Sequence, residues 1–142
     1  MRQVFIDTSF LLALTVADDD LHARAVAWQR VLRVPLVTSQ FVLLEYLDAL
    51  ARPQEKQLAL ATVELLQSHS AIEIIPLSEA LLAEGIIAMR TYADKEWGIT
   101  DCISFHLMRQ RSILAALTHD RHFEQAGFEA LLRREPPTGL VK

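Results

Sequence analysis

The stretch that most constrains this chain is residues 4–14, Val-Phe-Ile-Asp-Thr-Ser-Phe-Leu-Leu-Ala-Leu. A β-branched and aromatic run stops at Asp7, and a second apolar run opens after Ser9. The first run reads as a short buried strand, and the second as a helix over 8–16 entered through Asp7, Thr8 or Ser9. Asp7 therefore stands at the carboxyl end of a strand, where open α/β sheets build their sites. As an isolated residue it is equally explained as a helix N-cap worth about 1 kcal/mol.

The same alternation continues along the chain. Short apolar runs at 34–38, 72–75, 112–118 and 128–132 read as strands, the last of them an edge strand. Between them, apolar residues recur at helical spacing over 21–32, 41–51, 54–68, 78–92 and 101–110, with a short helix ending at Gly127. Ser39, Ser78 and Thr100 are predicted N-caps, Pro53 suits a first helical turn, and the acidic triplet 18–20 suits the start of the second helix. Gly85, inside a helix, predicts close packing against a neighbour. Strands separated by helices require parallel pairing through right-handed crossovers, which gives a three-layer α/β/α sandwich with a parallel sheet of about five strands.

A chain of 142 residues is expected to be one domain, 1–142, with residues from about 133 onward as a C-terminal tail. With 51% hydrophobic residues and 4 glycines it is globular rather than disordered. One cysteine, Cys102, excludes an internal disulfide and fits a reducing compartment, and no apolar stretch is long enough for a membrane span. A soluble, cytoplasmic protein is expected. The net charge of −4 is not that of a protein that grips nucleic acid by charge alone, but acidic metal sites contribute to such a balance.

Four acids carry the chemistry. Asp7 and Asp120 each follow a strand, Asp101 falls in the first turn of a helix, and Glu45 interrupts the apolar run 41–47. Glu45 lies either on a narrow exposed stripe shared with Asp48 or in the interior with a partner, because an unpaired buried carboxylate costs several kcal/mol. If the first and fourth strands are neighbours, Asp7 and Asp120 meet at one sheet edge. Converging carboxylates suit hard divalent cations such as Mg²⁺, and paired cations promote phosphodiester hydrolysis. His119 and His122 have no cysteine or second histidine pair at zinc-site spacing. Cys102 reads as a small buried hydrophobe.

With these residues in place, the chain resembles the PIN-domain family, in particular the VapC-type toxin ribonucleases of toxin–antitoxin pairs. The resemblance runs over nearly the whole chain. It rests on Asp7-Thr8-Ser9, on Glu45 within 39–50, on Thr100-Asp101-Cys102-Ile103-Ser104-Phe105 and on Leu117-Thr118-His119-Asp120-Arg121-His122-Phe123, with Asp94-Lys95 and Trp97 ahead of Thr100. It implies the strand order 3-2-1-4-5 and a site of Asp7, Glu45, Asp101 and Asp120 holding Mg²⁺ or Mn²⁺. Asp7 and Asp101 are then the principal ligands, with Glu45 and Asp120 completing the sphere or orienting water. Thr118 is a supporting hydroxyl, with Ser9 and Asp94 as further supporting groups.

The expected reaction is hydrolysis of RNA by an endoribonuclease, with water as nucleophile and no side-chain nucleophile. Arg121 is the nearest cation in sequence for the substrate phosphates, followed by Arg24 and Lys95. The resemblance also implies a homodimer and a cognate antitoxin protein that covers the acidic site. The rival readings are a PIN-domain nuclease of RNA maturation or DNA processing, and a poorly catalytic module that binds RNA or a partner. A receiver domain is disfavoured because Pro76 and Leu77 follow the third strand, and an Asp-x-Asp phosphatase because position 9 is serine.

Overall fold

Five parallel strands form one sheet in the order β3-β2-β1-β4-β5 in a computed structural model that describes residues 2–138. The strands are β1 (Val4–Ile6), β2 (Leu36–Ser39), β3 (Ile72–Ile75), β4 (Ala115–Leu117) and β5 (Glu129–Ala130). Helices α1 (Thr8–Thr15) and α2 (His22–Val31) join β1 to β2, and α3 (Gln40–Ala49) and α4 (Pro53–Ser68) join β2 to β3. Helices α5 (Glu79–Thr91) and α6 (Ile99–Gln110) make the long crossover from β3 to β4, and α7 (Arg121–Gln125) the short one to β5. This is the expected α/β/α arrangement and the expected strand order.

The topology locates the site. β1 lies at the centre, its chain successors β2 and β3 extend to one side, and β4 and β5 lie on the other. The order therefore reverses between β1 and β4, and crevices for ligands open at the carboxyl ends of such a strand pair. Ile6 is in register with Leu117, so Asp7 and Thr118 leave the sheet side by side. Every residue of β1 and β4 is buried, as expected for central strands covered on both faces.

The caps follow the sequence closely. Ser39 Oγ accepts from the Val42 N–H at 3.2 Å and Ser78 Oγ from the Leu81 N–H at 3.1 Å, and Pro53 opens α4. Gly85 sits where α5 crosses α6, and a Cβ there would lie 2.7 Å from Ile103 Cγ1 and 2.8 Å from Ile99 Cδ1. Gly127 has φ +96° and ends α7, a conformation that an L side chain resists.

Several boundaries and one cap differ from the sequence reading, β2 among them, which spans Leu36–Ser39 rather than 34–38. Helix α6 starts at Ile99, not after Thr100, because Gly98 takes the cap position and the Asp101 carboxylate accepts its N–H at 3.3 Å. β4 is shorter than 112–118, since Ser112 has φ 55° and Leu114 is exposed. β5 is two residues long and runs into a 3₁₀ turn, Leu131–Arg133. The acidic triplet does not cap α2 directly; Asp19 Oδ1 accepts the Leu21 N–H at 2.8 Å, one residue before the helix.

The region expected to be a tail is tied down at its start. Trp28 Nε1 donates to the Arg134 carbonyl at 2.9 Å, and Arg24 pairs with Glu135 at 2.9 Å. Residues 139–142 of that region lie outside the described residues.

Candidate metal centre

Asp7 ends β1 and caps α1, and it is 5% exposed. Its Oδ2 collects three donors: the Thr118 hydroxyl at 2.8 Å, the Ser9 hydroxyl at 3.0 Å and the Ser9 N–H at 3.5 Å. Each hydroxyl has one hydrogen, so both are directed at the same oxygen and mark it as an acceptor, the role of an ionised carboxylate. Burial nevertheless pushes the Asp7 carboxyl up from 3.8 to about 6; the nearby Asp101 charge adds to the rise, and the Thr118, Ser9 and backbone donors oppose it.

The hydroxyls also hold the next loop. Thr118 Oγ1 accepts the Asp120 N–H at 3.1 Å, and Ser9 Oγ accepts the His119 N–H at 3.3 Å. The strand-end residues of β1 and β4 thus share one hydrogen-bonded cluster.

Asp101 reaches the same region from the first turn of α6 and Asp120 from the N-cap of α7. They are brought together by aromatic packing. Phe105, one turn after Asp101, and Phe123, three residues after Asp120, meet edge to face with centroids 4.8 Å apart. Trp97 packs on the other side of Phe105 at 5.1 Å and donates Nε1 to Gln125 Oε1 at 2.9 Å. The two phenylalanines quoted for the resemblance are therefore the anchors that dock α7 on α6.

His122 joins the two aspartates and was missed by sequence reasoning, which weighed it only for zinc. Its Nδ1 lies 2.9 Å from Asp101 Oδ2 and 3.3 Å from Asp120 Oδ1, while its N–H donates to Asp120 Oδ1 at 2.9 Å. Ligand atoms of Asp101, Asp120 and His122 all lie within 4.8 Å of one another. Burial raises the Asp101 carboxyl above its ordinary range, with the Asp120 charge adding to the rise and the His122 hydrogen bond and the Gly98 N–H opposing it. For His122, burial favours the neutral ring, but Asp101, Asp120 and Glu96 outweigh it and the pKa rises. A cluster in which burial and carboxylate neighbours disfavour negative charge is one in which a cation replaces several kinds of strain at once.

Glu45 is placed differently. It is exposed on α3 and is not one of the three clustered residues, and no hydrogen bond of its carboxylate is found among the described residues. The open choice at this position resolves to the exposed stripe. Arg24 also stands apart, bound to Glu135 and to the Leu132 carbonyl. Cys102 is buried, and burial pushes its thiol up, as expected of a packing residue.

Beside the cluster lies an open groove of about 730 Å³, lined by Asp94, Lys95, Glu96, His119, Asp120, Arg121, His122, Gln125 and Arg133. Arg133 bridges the site loop and α7, donating to the His119 carbonyl at 3.2 Å and pairing with Glu124 at 3.1 Å. Arg121 is exposed and has no hydrogen-bond or ion-pair partner among the described residues.

The donor set fits a hard divalent cation. It offers carboxylate oxygens from Asp101 and Asp120 and one imidazole nitrogen, with the Asp7 carboxylate near enough to feel the Asp101 charge. Two buried hydroxyls, Thr8 Oγ1 and Ser104 Oγ, lack partners; they follow Asp7 by one residue and Asp101 by three.

No curated protein matches the sequence significantly. Among solved structures, a Mycobacterium tuberculosis protein, VapC20, described as a sarcin-ricin loop cleaving toxin, aligns with a TM-score of 0.81 and 26% identity over 88% of this chain and 95% of its own. FitAcB from Neisseria gonorrhoeae shares the fold, with a TM-score of 0.63 and 20% identity over 89% of this chain and 95% of that one. The family profile described as PIN domain matches residues 4–129, and with the sheet order and the acidic strand-end cluster it establishes that the chain belongs to the PIN domain family.

Proposed function

We propose that this protein is a divalent-metal-dependent endoribonuclease and the toxin of a toxin–antitoxin pair. The observation that carries the reading is the meeting of Asp101 and Asp120 beside Asp7 at the carboxyl edge of β1 and β4, in a PIN fold with a TM-score of 0.81 to a toxin described as sarcin-ricin loop cleaving.

Asp7, Asp101 and Asp120 would hold Mg²⁺ or Mn²⁺, with Thr118 and Ser9 fixing the orientation of the Asp7 carboxylate. A cation held there supplies positive charge for in-line displacement at phosphorus and acidifies water. Glu45, exposed and without a hydrogen-bond partner, is available as the fourth acid and is assigned to orienting water on the side of α3. Arg121 and Lys95 at the groove are assigned to the RNA backbone. These cations offset the local acidity that would otherwise repel a phosphodiester, which is how a chain of net charge −4 admits RNA.

The partner assignments have separate support. Leu82, Ile86 and Met89 are exposed and lie on one stripe of α5, which suits a second copy of the chain in a homodimer. A cognate antitoxin is assigned to the acidic groove lined by Asp94, Asp120 and His122, where a covering segment closes the site. No helix among the described residues is long and apolar enough to cross a membrane, and a cytoplasmic site of action follows from the proposed role.

The test compares the purified protein with Asp7→Asn and Asp101→Asn on an RNA panel that includes ribosomal RNA carrying the sarcin–ricin loop. Cleavage is expected in Mg²⁺ or Mn²⁺, is expected to cease in EDTA, and is expected to fall by roughly 100-fold or more in either variant. Cleavage that persists undiminished in EDTA or in Asp101→Asn sinks the reading. A small DNA-binding protein encoded next to this one supports the toxin role over other nuclease roles.

A further inference from the structure

We infer that His122 is a nitrogen ligand of the cation and that it biases the site toward Mn²⁺ over Mg²⁺. The inference rests on the metal-dependent nuclease reading and sharpens it. His122 Nδ1 lies 2.9 Å from Asp101 Oδ2 and 3.3 Å from Asp120 Oδ1. Neighbouring ligand atoms of an octahedral cation with bonds of 2.0–2.1 Å are separated by roughly 3 Å. The nitrogen already stands from both carboxylate oxygens at the spacing that ligands of one such cation require. One ligand atom from each of the three residues lies within 4.8 Å of the other two.

The ring is held in this position. The His122 backbone N–H donates to Asp120 Oδ1 at 2.9 Å in the first turn of α7, which fixes the residue's backbone, and Phe123, the next residue, is fully buried against Phe105. Nδ1, rather than Nε2, is the atom that faces the carboxylates; without metal it shares a hydrogen bond with Asp101 Oδ2, and a cation entering that space takes the place of the proton. A cation that binds both aspartates meets Nδ1 at the same point.

The chemical consequence is selectivity. Mg²⁺ prefers an all-oxygen shell and dehydrates reluctantly, whereas Mn²⁺ tolerates nitrogen and gains from imidazole. An Asp-only site has no such lever. His122 therefore acts as a specificity-determining residue for the metal, separate from the acids that make binding possible.

The test uses the full-length protein loaded with Mn²⁺. Electron spin-echo envelope modulation is expected to show coupling of the bound Mn²⁺ to a histidine ¹⁴N, and that coupling is expected to disappear in His122→Gln. Calorimetric titration with MnCl₂ and MgCl₂ is expected to give a Mn²⁺-over-Mg²⁺ preference that shrinks by roughly tenfold in His122→Gln. Mn²⁺ binding that needs Asp101 but shows no ¹⁴N coupling in the unmodified protein overturns the inference while leaving the nuclease reading intact. A wild-type metal preference retained in His122→Gln overturns it in the same way. Mn²⁺ binding unaffected by Asp101→Asn overturns both.

Discussion

Thr118 Oγ1 donates to Asp7 Oδ2 at 2.8 Å, joining residues 111 apart in the chain across the ends of β4 and β1. The same hydroxyl oxygen accepts the Asp120 N–H at 3.1 Å, so one side chain aims one acid and fixes the backbone of another. Thr118→Val keeps the shape and removes both bonds. A hydrogen bond to a charged group contributes about 1.5–3 kcal/mol, and loss of a group that orients a metal ligand weakens metal binding by about 10–100-fold. Thr118→Ser is expected to restore most of that loss, measured as Mn²⁺ affinity by calorimetry alongside RNA cleavage. If the valine variant binds Mn²⁺ like the wild type, the hydroxyl has no part in presenting Asp7.

Asp7 also makes the metal-free fold pH-dependent. Burial raises its pKa from 3.8 to about 6, so folding favours the protonated form. The native state then holds a proton that the unfolded chain has released between those pH values, and stability falls as pH rises through that window. Above it the ionised group destabilises the fold by about 3 kcal/mol, taking 1.36 kcal/mol for each tenfold change over the interval. In chelator at pH 7.5, Asp7→Asn is therefore expected to melt at a higher temperature than the wild type, and near pH 4 the difference is expected to vanish. Adding Mn²⁺ is expected to raise the melting temperature of the wild type and barely move that of the variant. A variant that melts lower than the wild type in chelator at pH 7.5 refutes this account of Asp7.

Much of this was readable from sequence because local rules dominate where they apply. The strands β1 and β3 and the caps at Ser39 and Ser78 depend on neighbouring residues, and they appear where the pattern puts them. The start of α6 does not, because Gly98 leaves the cap position without a side chain and the Asp101 carboxylate, three residues on, closes the turn instead of Thr100. Strand β4 loses its first residues to the positive φ of Ser112, a requirement of the turn that no apolar pattern announces. At the candidate site, the placement of Asp7, Asp101 and Asp120 was legible because each suits a strand end or a helix start. Glu45 was ambiguous because an apolar helical run does not say which face meets solvent. His122 was invisible: its ring meets a carboxylate 21 residues away only after Phe105 and Phe123 stack.

That stack gives a direct test of how the site is assembled. Phe123 is fully buried, and a large-to-small change at such a position costs about 3–5 kcal/mol for alanine. Phe123→Leu retains most of the apolar volume but loses the edge-to-face contact with Phe105 that sets α7 against α6. It is expected to weaken Mn²⁺ binding by about tenfold or more, because a ligand set tolerates little displacement of its supporting shell. Val63→Ala, a cavity in α4, is expected to lower the melting temperature without moving Mn²⁺ affinity. Equal Mn²⁺ affinities in both variants would mean that the packing of α7 does not position the acids.

The groove cations divide by how firmly they are committed. Arg121 is exposed without a partner among the described residues, Lys95 makes a loose pair with Asp94 at 3.5 Å, and Arg133 is bound to the His119 carbonyl and to Glu124. A free cation on a single-stranded backbone contributes about 0.7 to the slope of log affinity against log salt. Arg121→Ala is expected to raise KM, lower that slope by about this amount and leave kcat nearly unchanged. Lys95→Ala is expected to do the same more weakly, because its charge is already partly offset. Arg133→Ala differs in kind, since it releases the loop that carries His119 and Asp120, and kcat is expected to fall along with the rise in KM. Steady-state cleavage of a short RNA at several salt concentrations separates the three. A kcat loss in Arg121→Ala equal to that in Arg133→Ala would place Arg121 at the reacting phosphate rather than along the strand.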